Sequence, residues 1–292
     1  MTGKTDSITL SGGRRLAFTE YGVPDGRPLF YFHGFPGSRL EARLLAAGAA
    51  RNQVRILAVD RPGFGLSDFV PGRTLSDWPG DVKELADELA LPRFAVLGLS
   101  GGGPYALACA RGIPQRLTAV GVVCGLGPLD EPGATRVLKW PAHLSFMLVR
   151  HQPHLARHFY ELLARWFMRR HPQWVLHLMH VSAPWPDRAV LRQPEIRRVL
   201  IASVHAAVRQ GGRGPLRDLV LYSRSWDFAL EEIAMPVDLW HGEADATVPA
   251  AMGHDQAARL PDCRARFLPG EGHFSLIVNH LDEILATLAS PS

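Results

Sequence analysis

The chain has 292 residues, 47% of them hydrophobic, and carries 32 lysines and arginines against 28 aspartates and glutamates, a formal net charge of +4 at pH 7. This composition supplies a sizeable buried core and excludes a disordered chain, and the near-balanced charge, with no clustered basic module, argues against nucleic acid as a partner. No apolar run reaches the roughly 20 residues of a membrane-crossing helix, so no integral membrane segment is expected.

In chain order, residues 7–21 predict a hairpin turning at Gly12-Gly13, followed by central strands at 29–32 and 54–59 and a helix at 38–50 between them. A helix at 81–91, a buried strand at 93–97, a close-packed helix at 105–110 and a sixth strand at 117–124 come next. The alternation then stops. From about residue 128 to 232 the chain reads as helical stretches rich in Arg, His and Trp and broken by prolines, among them Pro141, Pro153 and Pro172. We read this segment as a helical cap inserted between two parts of one core, 1–127 and 233–292. Strands at 236–242 and 265–268 and a final helix at 275–289 complete the core. The three cysteines, Cys109, Cys124 and Cys263, are odd in number, sit in apolar or strand-like settings and form no C-x-x-C. They read as reduced thiols of a cytoplasmic protein, and no apolar stretch behind Met1 to Asp6 suggests a signal peptide.

Chemistry concentrates at Gly98-Leu99-Ser100-Gly101-Gly102, between a predicted strand and a predicted helix. That context pushes a serine above the sheet on a strained turn, where glycines on either side prevent collisions. A serine hydroxyl is a poor nucleophile at neutral pH and needs an imidazole to take its proton and a carboxylate to orient that imidazole. Asp245, in the turn after the 236–242 strand, and His273, in a loop just ahead of the final helix, supply both types. Attack creates an oxyanion, for which the backbone N–H groups of Gly101 and of Phe35, in the loop after the 29–32 strand, are the expected donors. Asp130, after the sixth strand, is the alternative acid.

These segments, together with His33-Gly34-Phe35-Pro36, the Asp60-Arg61-Pro62-Gly63-Phe64-Gly65-Leu66-Ser67 loop, His241-Gly242-Glu243-Ala244-Asp245 and Gly272-His273, resemble the α/β-hydrolase superfamily over nearly the full chain. The resemblance implies an α/β fold: a mostly parallel, doubly wound sheet with an inserted helical cap. It also implies a cofactor-independent serine hydrolase acting on an ester or similarly activated acyl compound, with structural roles for His33 and Asp60. Small carboxylesterases, carbon–carbon bond hydrolases and proline iminopeptidases fall within the resemblance, as does a small-molecule receptor with slow or no turnover. Phe35, Tyr105, Trp140 and Phe274 are the expected pocket residues. No metal is expected, since His154 and His158 lack any H-E-x-x-H context, and Gly63-Phe64-Gly65 continues into no dinucleotide fingerprint. The partner is expected to be a small-molecule substrate, and oligomeric state is not legible.

Charge divides unevenly. The 128–232 segment holds 15 basic against 9 acidic residues, a charge of +6, and the remainder holds 17 against 19, a charge of −2. A solvated arginine-rich surface accounts for this, as would attraction of anionic substrates or an acidic membrane surface.

Overall fold

A computed structural model of the protein describes residues 3–130 and 138–290. Its eight strands are β1 (Lys4–Thr9), β2 (Arg15–Gly22), β3 (Arg27–Phe32), β4 (Val54–Val59), β5 (Phe94–Leu99), β6 (Leu117–Val123), β7 (Val237–Gly242) and β8 (Cys263–Leu268). They form one sheet in the order β1-β2-β4-β3-β5-β6-β7-β8. The β1–β2 and β2–β4 pairs are antiparallel, and every pair from β4 to β8 is parallel. This is the α/β-hydrolase fold.

Period-two alternation puts successive side chains on opposite faces of the sheet, and both faces are covered. Phe30 and Phe32 of β3 pack with Trp78, Val82 and Leu85 of α2 (Trp78–Glu88) and with α3 (Gly103–Gly112). Leu29 and Tyr31 point the other way, into a cluster with Ala46 and Ala49 of α1 (Ala46–Arg51) and Ile284, Leu285 and Leu288 near the carboxyl terminus. Between β6 and β7 the chain forms α4 (Trp140–His151), α5 (Pro153–Leu162), α6 (Pro172–Ser182), α7 (Trp185–Leu191), α8 (Pro194–Ala207) and α9 (Arg213–Tyr222). All six carry a proline within their first few residues, at the position where a missing N–H costs nothing, so the prolines that interrupt the sequence pattern start these helices.

Three local expectations need correction. Residues 39–45 form a tighter 3-10 helix before α1, not one continuous α-helix. A further helix, α10 (Ala250–Arg259), lies where none was predicted. It buries only Met252, Gly253 and Gln256, so its sequence shows little apolar periodicity. The final helix is two, α11 (His273–Asn279) and α12 (Leu281–Ala289), separated by His280 at φ −110° and ψ 16°.

Candidate active site

Strand order reverses at β3, which lies between β4 and β5. Loops leaving the carboxyl ends of β3 and β5 therefore diverge, and they open the crevice where open α/β sheets bind ligands. Ser100 follows directly on β5 with φ at +55°, in the left-handed region that non-glycine residues rarely occupy. The turn is tight enough to dictate its neighbours. A Cβ on Gly98 would lie 2.4 Å from the Gly102 carbonyl oxygen, and one on Gly102 would lie 2.1 Å from that of Phe32.

Asp245 stands three residues beyond β7. One of its oxygens accepts the N–H groups of Thr247 at 2.7 Å and Val248 at 2.9 Å, an Asx-type turn that fixes the carboxylate. The other accepts His273 Nδ1–H at 2.7 Å. Both residues are buried. Burial alone would lower the His273 pKa, but the facing Asp245 carboxylate outweighs it and holds the imidazole above its ordinary value. The same pairing overcomes burial to keep Asp245 below the usual carboxylate range. His273 is the first residue of α11 and not part of a loop, as the sequence had suggested. Its position is set by Asp187 of α7, whose carboxylate accepts the N–H groups of His273, Phe274 and Ser275 at 2.9, 2.8 and 2.9 Å. An acid from a distant helix thus caps α11. Asp187→Ala would strand three buried donors and is expected to cost about 3 kcal/mol. A thermal melt should show it as a Tm lower by roughly 5–10 °C.

The loop after β3 is held from behind. His33 Nδ1–H donates to the Gly34 carbonyl at 2.9 Å, and Arg61 donates to the carbonyls of both His33 and Gly34. Because a peptide unit is planar, fixing the Gly34 C=O also fixes the Phe35 N–H in the opposite direction. A Cβ on Gly101 would lie 2.9 Å from Phe35 Cβ, so these two residues sit side by side. Burial and the Arg61 charge hold the His33 pKa well below the ordinary histidine value, so that ring is neutral at pH 7. Asp60 accepts the Arg39 N–H at 2.8 Å and the Leu66 N–H at 2.9 Å and pairs with the Arg39 guanidinium at 2.6 Å.

Behind this loop lies a charged cluster that the sequence did not disclose. Asp218 of α9, fully buried, pairs with Arg61 and Arg73 and accepts the Tyr105 hydroxyl at 2.5 Å. Tyr222 O–H reaches both Asp218, at 2.9 Å, and the Gly101 carbonyl, at 2.7 Å. Burial would raise the Asp218 pKa, but Arg61 and Arg73 outweigh it and keep the carboxylate ionised. The only clue in sequence is an acid inside the run Leu216 to Tyr222. Glu41 was also missed. It is buried, accepts the Gly34 N–H at 2.7 Å, and is held above the usual carboxylate range by burial.

Ser100 and His273 line one chamber of about 550 Å³, within the range of small-molecule sites. Phe35 and Phe274 also line it, and apolar side chains of the segment between β6 and β7 such as Leu163, Phe167, Val175 and Met179 form much of its wall. Two pocket expectations are corrected. Tyr105 is fully buried in the Asp218 cluster, and Trp140 is 73% exposed and faces outward. Asp130 lies along a separate cavity with Trp226 and Phe228, and the carboxylate bonded to His273 is that of Asp245. Cys124, His241 and Asp245 bring ligand-type atoms within 4.8 Å of one another. They fit a metal poorly: burial keeps the Cys124 thiol protonated, His241 Nε2–H donates to the Val248 carbonyl at 2.8 Å, and Asp245 is engaged as above. Among the described residues no helix is long and apolar enough to cross a membrane.

A model of the alpha/beta hydrolase family matches residues 29–287. A non-heme chloroperoxidase of Streptomyces lividans is 30% identical over 125 residues, 42% of this chain and 45% of that protein, so the match spans less than half of the relative. A proline iminopeptidase of Xylella fastidiosa strain Temecula1 is 23% identical over 312 aligned positions, covering 97% of this chain and 95% of the other. Among solved structures, a hydrolase from Pseudomonas aeruginosa PA01 superimposes with a TM-score of 0.72 at 20% identity over 99% of both chains. A thermophilic esterase from Thermogutta terrifontis does so with a TM-score of 0.70 at 21% identity, covering 98% of this chain and 100% of the other. At these identities the structural likeness is one of fold.

Proposed function

Because the chain belongs to the alpha/beta hydrolase family, we propose that it is a serine hydrolase cleaving an ester, or a similarly activated acyl compound, through an acyl-enzyme. Ser100 Oγ attacks the acyl carbon while His273 Nε2 takes the hydroxyl proton, and Asp245 holds the imidazole tautomer and stabilises the imidazolium. The N–H groups of Phe35 and Gly101 meet the oxyanion. Collapse expels the alcohol, which takes its proton from His273. A water molecule deprotonated by the same imidazole then releases the acid. The observation that carries the reading is the 2.7 Å His273–Asp245 hydrogen bond beside a chamber that also holds Ser100 on its positive-φ turn.

In this reading residues 128–232 are a cap over Ser100, and 1–127 with 233–292 are the core. Support comes from the chamber lining, which combines core residues with Leu163, Phe167 and Val204 of the insertion. A mostly apolar wall favours an uncharged acyl group. For the iminopeptidase alternative, the chamber offers an α-ammonium one acidic side chain among the described residues, Glu41, already bonded to the Gly34 N–H. Esters are therefore expected to turn over faster than prolyl arylamides.

The test is a panel of p-nitrophenyl esters beside a fluorophosphonate label. Labelling with turnover supports the hydrolase, and labelling with negligible turnover of any ester moves the chain to a receptor or a carbon–carbon hydrolase. Asp245→Asn should lower kcat by roughly 10⁴-fold with the fold intact, because the imidazole then favours the wrong tautomer. Asp130→Asn should change it by less than about threefold, as expected of a carboxylate with no part in the triad. Reversed magnitudes would move the acid to the loop after β6.

A further inference from the structure

The helices of the insertion bury one face and leave a second apolar face in solvent. On α5 and its continuation the inward positions are Ala156, Tyr160 and Ala164, while Leu155, Phe159, Leu162 and Trp166 are exposed. Their spacing, i, i+4, i+7 and i+11, is that of a single helical stripe. The same spacing recurs on α6 and the start of α7, where Trp174, Leu178, Val181 and Trp185 are exposed, Trp185 to 78%. With Trp140 and Leu144 of α4, these are all the large hydrophobic side chains more than a third exposed among the described residues, and all ten lie between residues 140 and 185. Single exposed hydrophobics are ordinary; ten gathered on successive helices, with stripes on α5 and α6, mark an interaction surface.

Charge and position identify the partner. Between residues 140 and 186 the chain has five arginines (Arg150, Arg157, Arg165, Arg169, Arg170) and one acid, Glu161, which is paired with Arg165 at 2.7 Å. Arginines interleaved with Trp, Phe and Leu on exposed helices are the pattern of a surface lying in the headgroup plane of an anionic bilayer. No described helix crosses a membrane, so contact would be in that plane. Leu178 is 58% exposed and also lines the Ser100 chamber, so the chamber opens on this same face. Lys139, whose ammonium donates to the Ser182 carbonyl, ties the start of α4 to the end of α6 beside that opening, with Trp140 and Trp185 flanking it.

We propose that the outer face of α4–α7 docks on anionic lipid bilayers with the chamber mouth turned toward the lipid. Delivery of an apolar acyl group from the bilayer to Ser100 rests on the hydrolase reading; docking itself does not. The test accordingly uses the full chain carrying Ser100→Ala, with co-sedimentation and tryptophan emission as readouts. It compares vesicles of phosphatidylcholine alone with vesicles containing about one third phosphatidylglycerol. Binding to the anionic vesicles is expected to be at least about tenfold tighter, to weaken in 0.5 M salt, and to shift tryptophan emission to the blue. Leu155→Ser/Phe159→Ser/Trp166→Ser should reduce it by about tenfold or more. Arg157→Glu/Arg169→Glu should abolish the preference for the anionic lipid. All five positions are exposed, so an unchanged melt is expected and is checked for each variant. Equal binding to both vesicle types, or parent-like binding by the triple variant, overturns the proposal. So does a concentration-dependent dimer that the triple variant dissolves while vesicles stay unbound, which would assign the face to a second copy of this chain.

Discussion

Ser100→Ala is expected to lower kcat by at least about 10³-fold while leaving the melting temperature within a degree or two of the parent. The lost group is a hydroxyl at the chamber wall, and alanine retains the Cβ that the left-handed turn already accommodates. The proposed mechanism has a single nucleophile, so the residual rate should come from binding and the oxyanion donors alone. Mass spectrometry after fluorophosphonate treatment should place the adduct on the Ser100 peptide of the parent and find none in the variant. Ser182 and Ser203 also line the chamber and are the internal controls. An adduct on either, or a variant retaining more than a tenth of the rate, removes Ser100 from the proposed role.

His273→Ala should cost as much as the loss of the serine, because in the proposed mechanism the two act as one unit. The parent's pH profile carries the sharper test. An imidazolium accepts no proton, so kcat/KM should fall tenfold per pH unit on the acid side. Because Asp245 raises the His273 pKa, the midpoint should lie above the ordinary histidine value of about 6.5. Asp245→Asn should move that limb to lower pH in whatever activity remains. The rivals are His33 and His241, both held below the ordinary value by burial, the second with Nε2 3.6 Å from Asp245. A limb that persists in His273→Ala would belong to one of them. Stability runs the other way. A raised folded-state pKa stabilises the protein fully below about 6.5, and this contribution is lost as pH rises through the folded value. Activity should therefore climb over the same interval in which the imidazolium's share of the stability fades.

The strands were legible because buried parallel strands are short apolar runs bounded by turns, and β4 begins and ends where the periodicity does. The turn at Ser100 was legible because its glycines are forced by backbone contacts under 3 Å. Asp245 and His273 could be placed after strands for the same reason, since each follows a marked strand end. What sequence could not show is which polar residues are buried. Asp187, Asp218 and Glu41 look like ordinary helix carboxylates, and their burial depends on partners 86 to 157 residues away, as with Arg61–Asp218, or on one loop amide. Trp140 and Tyr105 were misplaced by the converse error. Aromatic character predicts packing, yet Trp140 faces solvent and Tyr105 is committed to a carboxylate. The break at His280 is invisible because apolar spacing runs on through both α11 and α12.

Two carboxylates from the segment between β6 and β7 reach into the core: Asp187 holds the backbone of His273, and Asp218 pairs with Arg61, which holds the Gly34–Phe35 peptide, and lies against Tyr222, which reaches the Gly101 carbonyl. The helices between β6 and β7 are therefore not an interchangeable module. A chimera that grafts a foreign segment across that junction would change the pocket, and it would also unseat His273 and release two buried arginines unless it brought an acid to each place. Shuffling of specificity among such scaffolds is thus constrained to the stretch from α4 to α6, which carries neither anchor.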